Sequence, residues 1–229
     1  MHVITFATQK GGTGKSSLAL SLAVAAAEKG LKVAIIDIDP QGTAEEWYKR
    51  RQSETPGVYA LRWSHVPSHV YKLRRENYDL AIVDTPGADN AAAAEAIKEA
   101  DFCLLPVRPS VADIEASKAT VRHLNDRKKP FAFILNQCPT GGRTSRTSNA
   151  RMALQLLGGL CDATLAHRSD HMDALASGLG VTEFSPSGKA ADEVRAVLNW
   201  LMRRLRRLHS QQPNDDESEE GGPIASGVR

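Results

Sequence analysis

Long apolar runs limit the possible folds of this chain more than any other feature of its sequence. The run Lys32–Asp39, KVAIIDID, is apolar almost without a break, and Tyr78–Asp84 and Phe131–Asn136 are similar. A strand with one solvated face alternates apolar and polar residues, whereas a strand covered on both faces is apolar throughout. Helix-like segments separate these runs, and such alternation is typical of a parallel sheet with right-handed crossovers. The sequence therefore predicts an α/β fold, with a parallel, mostly doubly wound sheet and flanking helices.

The boundaries of the elements follow from the same pattern. The predicted strands are Val3–Ala7, Lys32–Asp39, Tyr78–Asp84, Phe102–Val107, Phe131–Asn136 and a short one at Ala163–Ala166. The predicted helices are one that follows the first strand and ends near Lys29, then Asp89–Glu99, Val111–Leu124, Ser148–Leu157, His171–Ser177 and Lys189–His209. Thr140–Ser148 is rich in Gly, Thr, Ser and Arg, which is typical of a linker.

The composition is that of a globular protein, with 41% hydrophobic and 24% charged residues among 229. Residues 1–210 are predicted to form one domain, and residues 211–229, which lose the apolar periodicity, an acidic and disordered tail. The longest apolar run, Leu18–Ala27, is shorter than the roughly 20 residues that a membrane-spanning helix needs. The first residues, MHVITFAT, lack the basic segment of a signal peptide, so a cytoplasmic location is expected.

The distribution of charge suggests a class of binding partner, and the cysteine spacing indicates whether zinc sites or disulfides are expected. Residues 211–229 contain five acidic residues and one arginine, so the net charge of +2 for the whole chain leaves +6 on residues 1–210. A basic body makes a polyanion a plausible partner, although a solvated basic surface would look the same. Cys103, Cys138 and Cys161 form no CxxC pair, which favours buried free thiols over a zinc site or disulfides.

A glycine-rich loop, GGTGKSS, follows the first predicted strand and opens the first predicted helix. In that context small residues let backbone N–H groups converge on phosphate oxygens, and the helix N-terminus adds partial positive charge. Lys15 would neutralise the β and γ phosphates, and the Ser16 hydroxyl would ligate Mg²⁺. A tight turn without a ligand is the alternative, and GK[ST] between strand and helix argues against it. The predicted nucleotide-binding residues are Gly11, Gly12, Thr13, Gly14, Lys15, Ser16 and Ser17.

Carboxylates stand at the ends of two further strands. Asp37 and Asp39 are two residues apart, so they point the same way from the end of the second long apolar run. Asp39 is then placed to orient the attacking water, and Asp37 to lie nearer Mg²⁺. Asp84 closes the apolar run LAIVD and should hold the metal. Capping and turn formation are the alternative role for Asp37 and Asp39.

Taken together, these motifs resemble those of the deviant Walker A ATPases of the ParA and Min type. The resemblance rests on KGGTGKS with Lys10 before the first glycine, on DIDPQG, on LAIVDTPG and on FSPSGK, and it covers about residues 2–208. It implies a P-loop NTPase of the deviant Walker A type that hydrolyses ATP as a homodimer, with Lys10 reaching the nucleotide of the partner. It also implies that Asn136 and Pro186 contact the adenine; for Asn136 a strand-end turn is the alternative.

The same resemblance implies a positioning protein that binds DNA nonspecifically, associates with the nucleoid and is released by a ParB-like or centromere-binding adaptor. Arginines without interleaved aromatic residues suit phosphate contacts. The predicted DNA-binding residues are Arg143, Arg146, Arg203, Arg204, Arg206 and Arg207.

Two alternatives remain open at this point. One is an ATP-dependent metabolic amide synthase or ligase of the same fold. The other is a Min-type anchor, in which Trp200, Leu201, Leu205 and Leu208 would enter a membrane. A membrane contact is not expected, because five acidic residues follow that helix and anionic lipid would repel them.

Overall fold

A computed structural model describes residues 1–87, 91–141 and 144–210, and its centre is a seven-stranded parallel sheet. The strand order is β3-β2-β4-β1-β5-β6-β7, and every neighbouring pair is parallel. The strands are β1 His2–Phe6, β2 Val33–Asp37, β3 Gly57–Ala60, β4 Leu80–Asp84, β5 Phe102–Val107, β6 Phe131–Cys138 and β7 Gly159–Ala166. The parallel, doubly wound α/β fold is therefore confirmed.

Helices cover both faces of this sheet. They are α1 Lys15–Ala27, α2 Thr43–Arg50, α3 Val66–Arg75, α4 Ala91–Glu99, α5 Val111–Asp126, α6 Ser145–Leu157, α7 Asp170–Ala176, α8 Val181–Phe184 and α9 Lys189–His209. Successive strand residues point to opposite faces, so Ile35 packs with α1 and α9 while Ile36 packs with α3 and α4. This two-sided burial is why the strands are apolar throughout.

The position of β1 decides where a ligand can bind. β1 lies between β4 and β5, so the chain leaves β1 in one direction along the sheet and later returns to its other side. In an open parallel sheet, ligands bind beyond the carboxyl ends of the strands at such a switch point. The glycine loop Ala7–Gly14 starts there, at the end of β1.

The structure corrects several predicted boundaries. The edge strand β3 and the helices α2 and α3 were not predicted, because they are short and their solvent side is polar. Helix α6 begins at Ser145, capped by the Thr144 side chain, so the predicted linker Thr140–Ser148 is partly helical and Arg146 lies in the first turn. The predicted start of the helix Asp89–Glu99 lies outside the described residues, as do Arg143 and the predicted tail 211–229.

Helix α9 packs its apolar side against the protein. Leu201 and Leu205 are almost completely buried, and the ring of Trp200 lies 6.3 Å from that of Phe102 in an edge-to-face contact. The apolar stripe of this helix therefore belongs to the core beside β7 and α1. Cys103, Cys138 and Cys161 are buried free thiols, as predicted.

The described residues contain no helix that is both long and apolar enough to cross a membrane.

Candidate functional site

The loop between β1 and α1 adopts the backbone that its glycines predict. Gly12 and Gly14 have φ of 74° and 85°, a region that residues with a Cβ atom rarely adopt. A Cβ atom at Gly14 would also collide with the Asn136 amide. Both the backbone conformation and the lack of space therefore require glycine at this position. Helix α1 begins at Lys15, directly after the loop, and no side chain caps its N-terminus. Its free N–H groups, with Ser16 and Ser17 in the first turn, are available to an anion.

Lys15 and Asp84 form the charged centre of the site. The Lys15 Nζ atom lies 3.5 Å from the Thr8 carbonyl and 3.4 Å from its hydroxyl, and only 6% of the residue is exposed. Burial lowers the pKa of Lys15, and the carboxylates of Asp84 and Asp39 partly oppose that shift. The ammonium therefore has neutral oxygens as its nearest hydrogen-bond acceptors, which leaves it ready for an anionic ligand.

Asp84 is completely buried, and neither of its oxygens has a hydrogen-bond partner of normal geometry within the described residues. Burial raises the pKa of Asp84 to about 7, although the nearby Ser16 hydroxyl and Lys15 charge lower it in part. A buried carboxylate without donors is costly unless a cation or donor joins it. The pair of free oxygens beside Ser16 is a donor set that suits Mg²⁺.

The two aspartates that follow β2 have different surroundings. The carboxylate of Asp37 is buried and accepts backbone N–H bonds from Asp39 at 3.0 Å, Ala44 at 2.9 Å and Glu45 at 3.3 Å. It therefore fixes the start of α2, and its predicted metal contact stays a prediction. The carboxylate of Asp39 is half-exposed, and within the described residues it accepts one bond, from the Gln41 N–H at 2.9 Å. Its second oxygen has no hydrogen-bond partner among those residues and lies at the mouth of the site.

Gly87, in the segment after β4, lies against the loop: a Cβ atom there would be 3.1 Å from the Cα of Gly11. The Thr85 hydroxyl donates to the Phe6 carbonyl at 2.6 Å. The ends of β1, β2 and β4 thus bring the predicted loop, Asp39 and Asp84 together.

Lys10 has a partner that the sequence analysis missed. Its Nζ atom lies 2.5 Å from the carboxylate of Asp113, whose side chain is 1% exposed, and Arg108 donates to the same carboxylate at 2.6 and 3.1 Å. Burial alone would raise the pKa of Asp113, but hydrogen bonds from Arg108, Lys10 and Ser110 hold it at about 2. Lys10 is thus folded back onto its own subunit. Two features of the sequence could have indicated a structural role for Asp113: Arg108 at the end of an apolar strand, and Ser110 as a helix cap three residues before Asp113.

This ion pair predicts a pH-dependent difference in stability. The pKa of Asp113 is about 2 in the folded state and about 3.9 unfolded, so its charged form stabilises the fold above pH 4. We expect Asp113→Asn to lower the free energy of unfolding by about 2 kcal/mol at pH 7. The difference should shrink as the pH falls from about 4 to about 2, because the wild-type carboxyl is then protonated.

Urea unfolding over that pH range measures the effect. Asp126→Asn, an exposed position on the same helix, is the control and should behave like the wild type at every pH. A difference between wild type and Asp113→Asn that is constant from pH 7 to pH 2 would contradict the ion pair as its source.

The side of the loop that faces β6 carries a cavity. The Asn136 amide donates to the Thr13 carbonyl at 2.7 Å, and the Gln137 amide donates to the Gly12 carbonyl at 3.1 Å. Both side chains therefore brace the loop. Beside them is a cavity of about 100 Å³, whose other walls come from α1 and from the segment after β7. Asn136 lines this cavity; Pro186, in the turn before α9, is not among its lining residues, and its carbonyl accepts a bond from Arg195 at 2.6 Å.

Comparison with known proteins agrees with this geometry. The family described as the CobQ/CobB/MinD/ParA nucleotide binding domain matches residues 4–199. The chain belongs to this family. Its relatives include the maintenance of carboxysome distribution protein A of Halothiobacillus neapolitanus, 29% identical over 211 residues, with 87% of this chain and 95% of that protein aligned. Protein IncC of Escherichia coli is 25% identical over 90% of this chain and 70% of its own length.

Among solved structures, the septum site-determining protein MinD of Pyrococcus horikoshii, complexed with Mg-ADP, has the same fold, with a TM-score of 0.70. It is 20% identical and the match covers 90% of this chain and 98% of that one. The P-loop fold and the resemblance to ParA and Min proteins are thereby confirmed, and the chain is an ATPase of the MinD/ParA family.

Five of the six arginines predicted to contact DNA lie within the described residues. Arg146 is exposed in the first turn of α6. Four more are exposed along the C-terminal half of α9, opposite its buried leucines, and form no ion pair with any other described residue. We call these four the α9 arginines: Arg203, Arg204, Arg206 and Arg207.

Proposed function

We propose that this ATPase is a positioning protein that couples an ATP-bound homodimer to DNA. In the ATP-bound state it binds DNA without sequence preference, and it is released when an adaptor of the ParB-like or centromere-binding class stimulates hydrolysis. Such a protein would be found in the cytoplasm, on the nucleoid. The observation that carries the proposal is the combination of a nucleotide site at one sheet edge with a helix whose solvent side carries the α9 arginines.

The residues around the loop support binding of ATP with Mg²⁺. Lys15 would contact the β and γ phosphates, together with the backbone N–H groups from Gly11 to Ser17. Ser16 and Asp84 would hold Mg²⁺, since the oxygens of Asp84 have no other partner in the described structure. When bound, the ion neutralises charge on the phosphates. Asp39 would orient the attacking water through its free carboxylate oxygen.

The position of Lys10 supports an ATP-dependent dimer. In the present conformation its ammonium is paired with Asp113, and Arg108 holds the other side of that carboxylate. If Lys10 moved to the nucleotide of a second subunit, Arg108 would keep Asp113 paired. The buried Asp113 carboxylate would then still have a charged partner, so the free-energy cost of breaking its ion pair with Lys10 would be small.

The packing of α9 favours the hypothesis that this helix binds DNA over the hypothesis that it binds a membrane. Leu201 and Leu205 are buried in the core and are not available to a bilayer. The α9 arginines remain exposed, and none of them lies over an aromatic ring of the described residues, an arrangement that suits sequence-independent phosphate contacts. An ATP-dependent synthase or ligase of the same fold, the alternative, would need a second substrate site beside the nucleotide.

DNA co-sedimentation with Mg-ATP, with Mg-ADP and without nucleotide tests the proposal, with light scattering of the same samples. We expect dimers and DNA binding with ATP only, and monomers otherwise. One unchanged mass in all three conditions would rule out the dimer. Absence of DNA binding in all three would rule out the positioning function while leaving the ATPase intact.

A further prediction concerns residues 211–229, which carry a net charge of −4 and follow directly on the α9 arginines. Acidic residues tethered this close should compete with DNA for the arginines. We expect removal of residues 211–229 to raise the ATP-dependent affinity for DNA by about threefold to tenfold at low salt, and by less at high salt.

The decisive comparison uses four proteins over a salt series: wild type, the truncated chain, Arg203→Ala with Arg204→Ala, and the combination. The double substitution should weaken DNA binding and also remove the gain from truncation, because both changes act on one surface. Independent, additive effects would mean that residues 211–229 do not compete for these arginines.

A further inference from the structure

The cavity beside the phosphate loop has an outer wall formed by the end of β7, the segment that follows it and the start of α7. Gly14, Ser17 and Leu18 form the wall next to the loop, and Asn136 and Gln137 the wall at the end of β6. The outer wall consists of Ala166, His167, Arg168, His171 and Met172, with Leu165 beneath them. A ligand whose phosphates lie on the loop would contact the outer wall when it extends into this cavity.

The chemistry of the whole cavity lining suits a flat aromatic ring. Leu18 and Leu165 supply apolar contact, and the imidazole and guanidinium groups of His171 and Arg168 supply planar surfaces on which a ring can stack. Burial lowers the pKa of His171, although the carboxylates of Glu193 and Asp170 partly oppose that shift. The base of a nucleotide has these properties, whereas a free polyphosphate would occupy the loop alone.

One carboxylate, that of Glu193 in α9, holds the outer wall in place. It accepts the backbone N–H of Ala166 at 3.0 Å, and it accepts Nη2 of Arg168 at 2.7 Å and Nε at 3.2 Å. The side chains of Arg168 and Glu193 are 20% and 21% exposed, so the pair is largely shielded from water. A fork of this kind fixes the plane of the guanidinium as well as its position.

We propose that Glu193 is a positioning residue for the nucleotide base. It does not line the cavity; it acts through Ala166 and Arg168, which do, and it keeps the outer wall ordered before the nucleotide arrives. This inference rests on the proposed binding of ATP at the loop. Its consequence is that the base half of the site depends on α9, whereas the phosphate half depends on β1 and α1.

The physical reason is preorganisation. Without Glu193, the Ala166 N–H and the Arg168 guanidinium lose their shared acceptor, and the wall must be ordered each time a base binds. That entropic cost falls only on a ligand that contacts the wall. Tripolyphosphate carries the phosphate chain without a base, so its affinity is independent of Glu193.

Calorimetry with Mg-ATP and with Mg-tripolyphosphate separates the two halves of the site. Glu193→Ala should weaken Mg-ATP binding by about tenfold and leave Mg-tripolyphosphate binding within about twofold of the wild type. Asp192→Ala is the matched control, because Asp192 is the neighbouring acid in the same helical turn, is mostly exposed and contacts only Arg195 among the described side chains. It should change neither affinity.

Arg168→Lys provides a second variant that keeps the charge and loses the fork. It should also weaken ATP and spare tripolyphosphate, and it keeps the inference testable if Glu193→Ala fails to fold. Equal losses for both ligands, or no loss for either, would overturn the role of Glu193. Failure of the wild type to bind ATP would instead contradict the proposed function, so the two failures are distinguishable.

Discussion

Replacement of Lys15 by alanine is expected to lower the affinity for ATP by at least about 100-fold. Lys15 as a residue is 6% exposed, and its ammonium lies 3.5 and 3.4 Å from two neutral oxygens of Thr8. Among the described residues no carboxylate lies at hydrogen-bond distance from this buried charge, so an anionic ligand would supply the partner that it lacks. Alanine removes the cation that faces the β and γ phosphates, and charge-assisted bonds to phosphate are among the strongest in such a site.

Calorimetry with Mg-ATP measures this loss. Lys29→Ala, an exposed lysine just after the same helix, is the control and should bind ATP like the wild type. Lys15→Ala should also lose tripolyphosphate, unlike Glu193→Ala, because Lys15 belongs to the phosphate half of the site. Unchanged ATP affinity would remove the assignment of this loop to phosphate.

The centre of the site could be predicted because local sequence determines it. Each strand of a parallel sheet ends at the same edge, so residues after apolar runs, such as Asp39 and Asp84, must gather there. Gly12 and Gly14 adopt φ values that favour glycine, and a GK[ST] sequence at a strand-to-helix turn has few other uses. The apolar strands could therefore be predicted from hydrophobic periodicity, and the glycine-rich loop from backbone sterics.

The partners of that centre could not be predicted, because they depend on packing between distant segments. Lys10 and Asp113 are separated by 103 positions, and no local pattern connects them. Glu193 and Arg168 are likewise 25 positions apart, with α7 and α8 between them in the chain. For Asp37 the sequence allowed both a metal contact and a cap, and the structure shows its oxygens on three backbone N–H groups. Strand β3 was missed because four residues carry too little periodicity.

The second large effect is expected from Asp39→Ala, which should slow ATP hydrolysis by about 100-fold or more while ATP affinity stays within about threefold of the wild type. Asp39 follows β2 at the mouth of the site, and its charge acts on both Lys15 and Asp84. Its carboxylate accepts one described hydrogen bond, from the Gln41 N–H, so removal of the side chain leaves the loop and the buried charges in place. Loss of a group that orients water lowers the rate of the chemical step without changing the phosphate contacts.

A trapped dimer is the consequence that separates this role from a purely structural one. If Asp39 acts only in hydrolysis, Asp39→Ala should form ATP-dependent dimers that persist on DNA, because the step that ends the ATP state is blocked. Glu45→Ala, which removes an exposed acid at the start of α2, is the control and should hydrolyse ATP at the wild-type rate. Hydrolysis by Asp39→Ala at the wild-type rate would assign the water to another group. If Asp39→Ala lost both ATP binding and ATP hydrolysis, Asp39 would instead belong to the phosphate-binding part of the site.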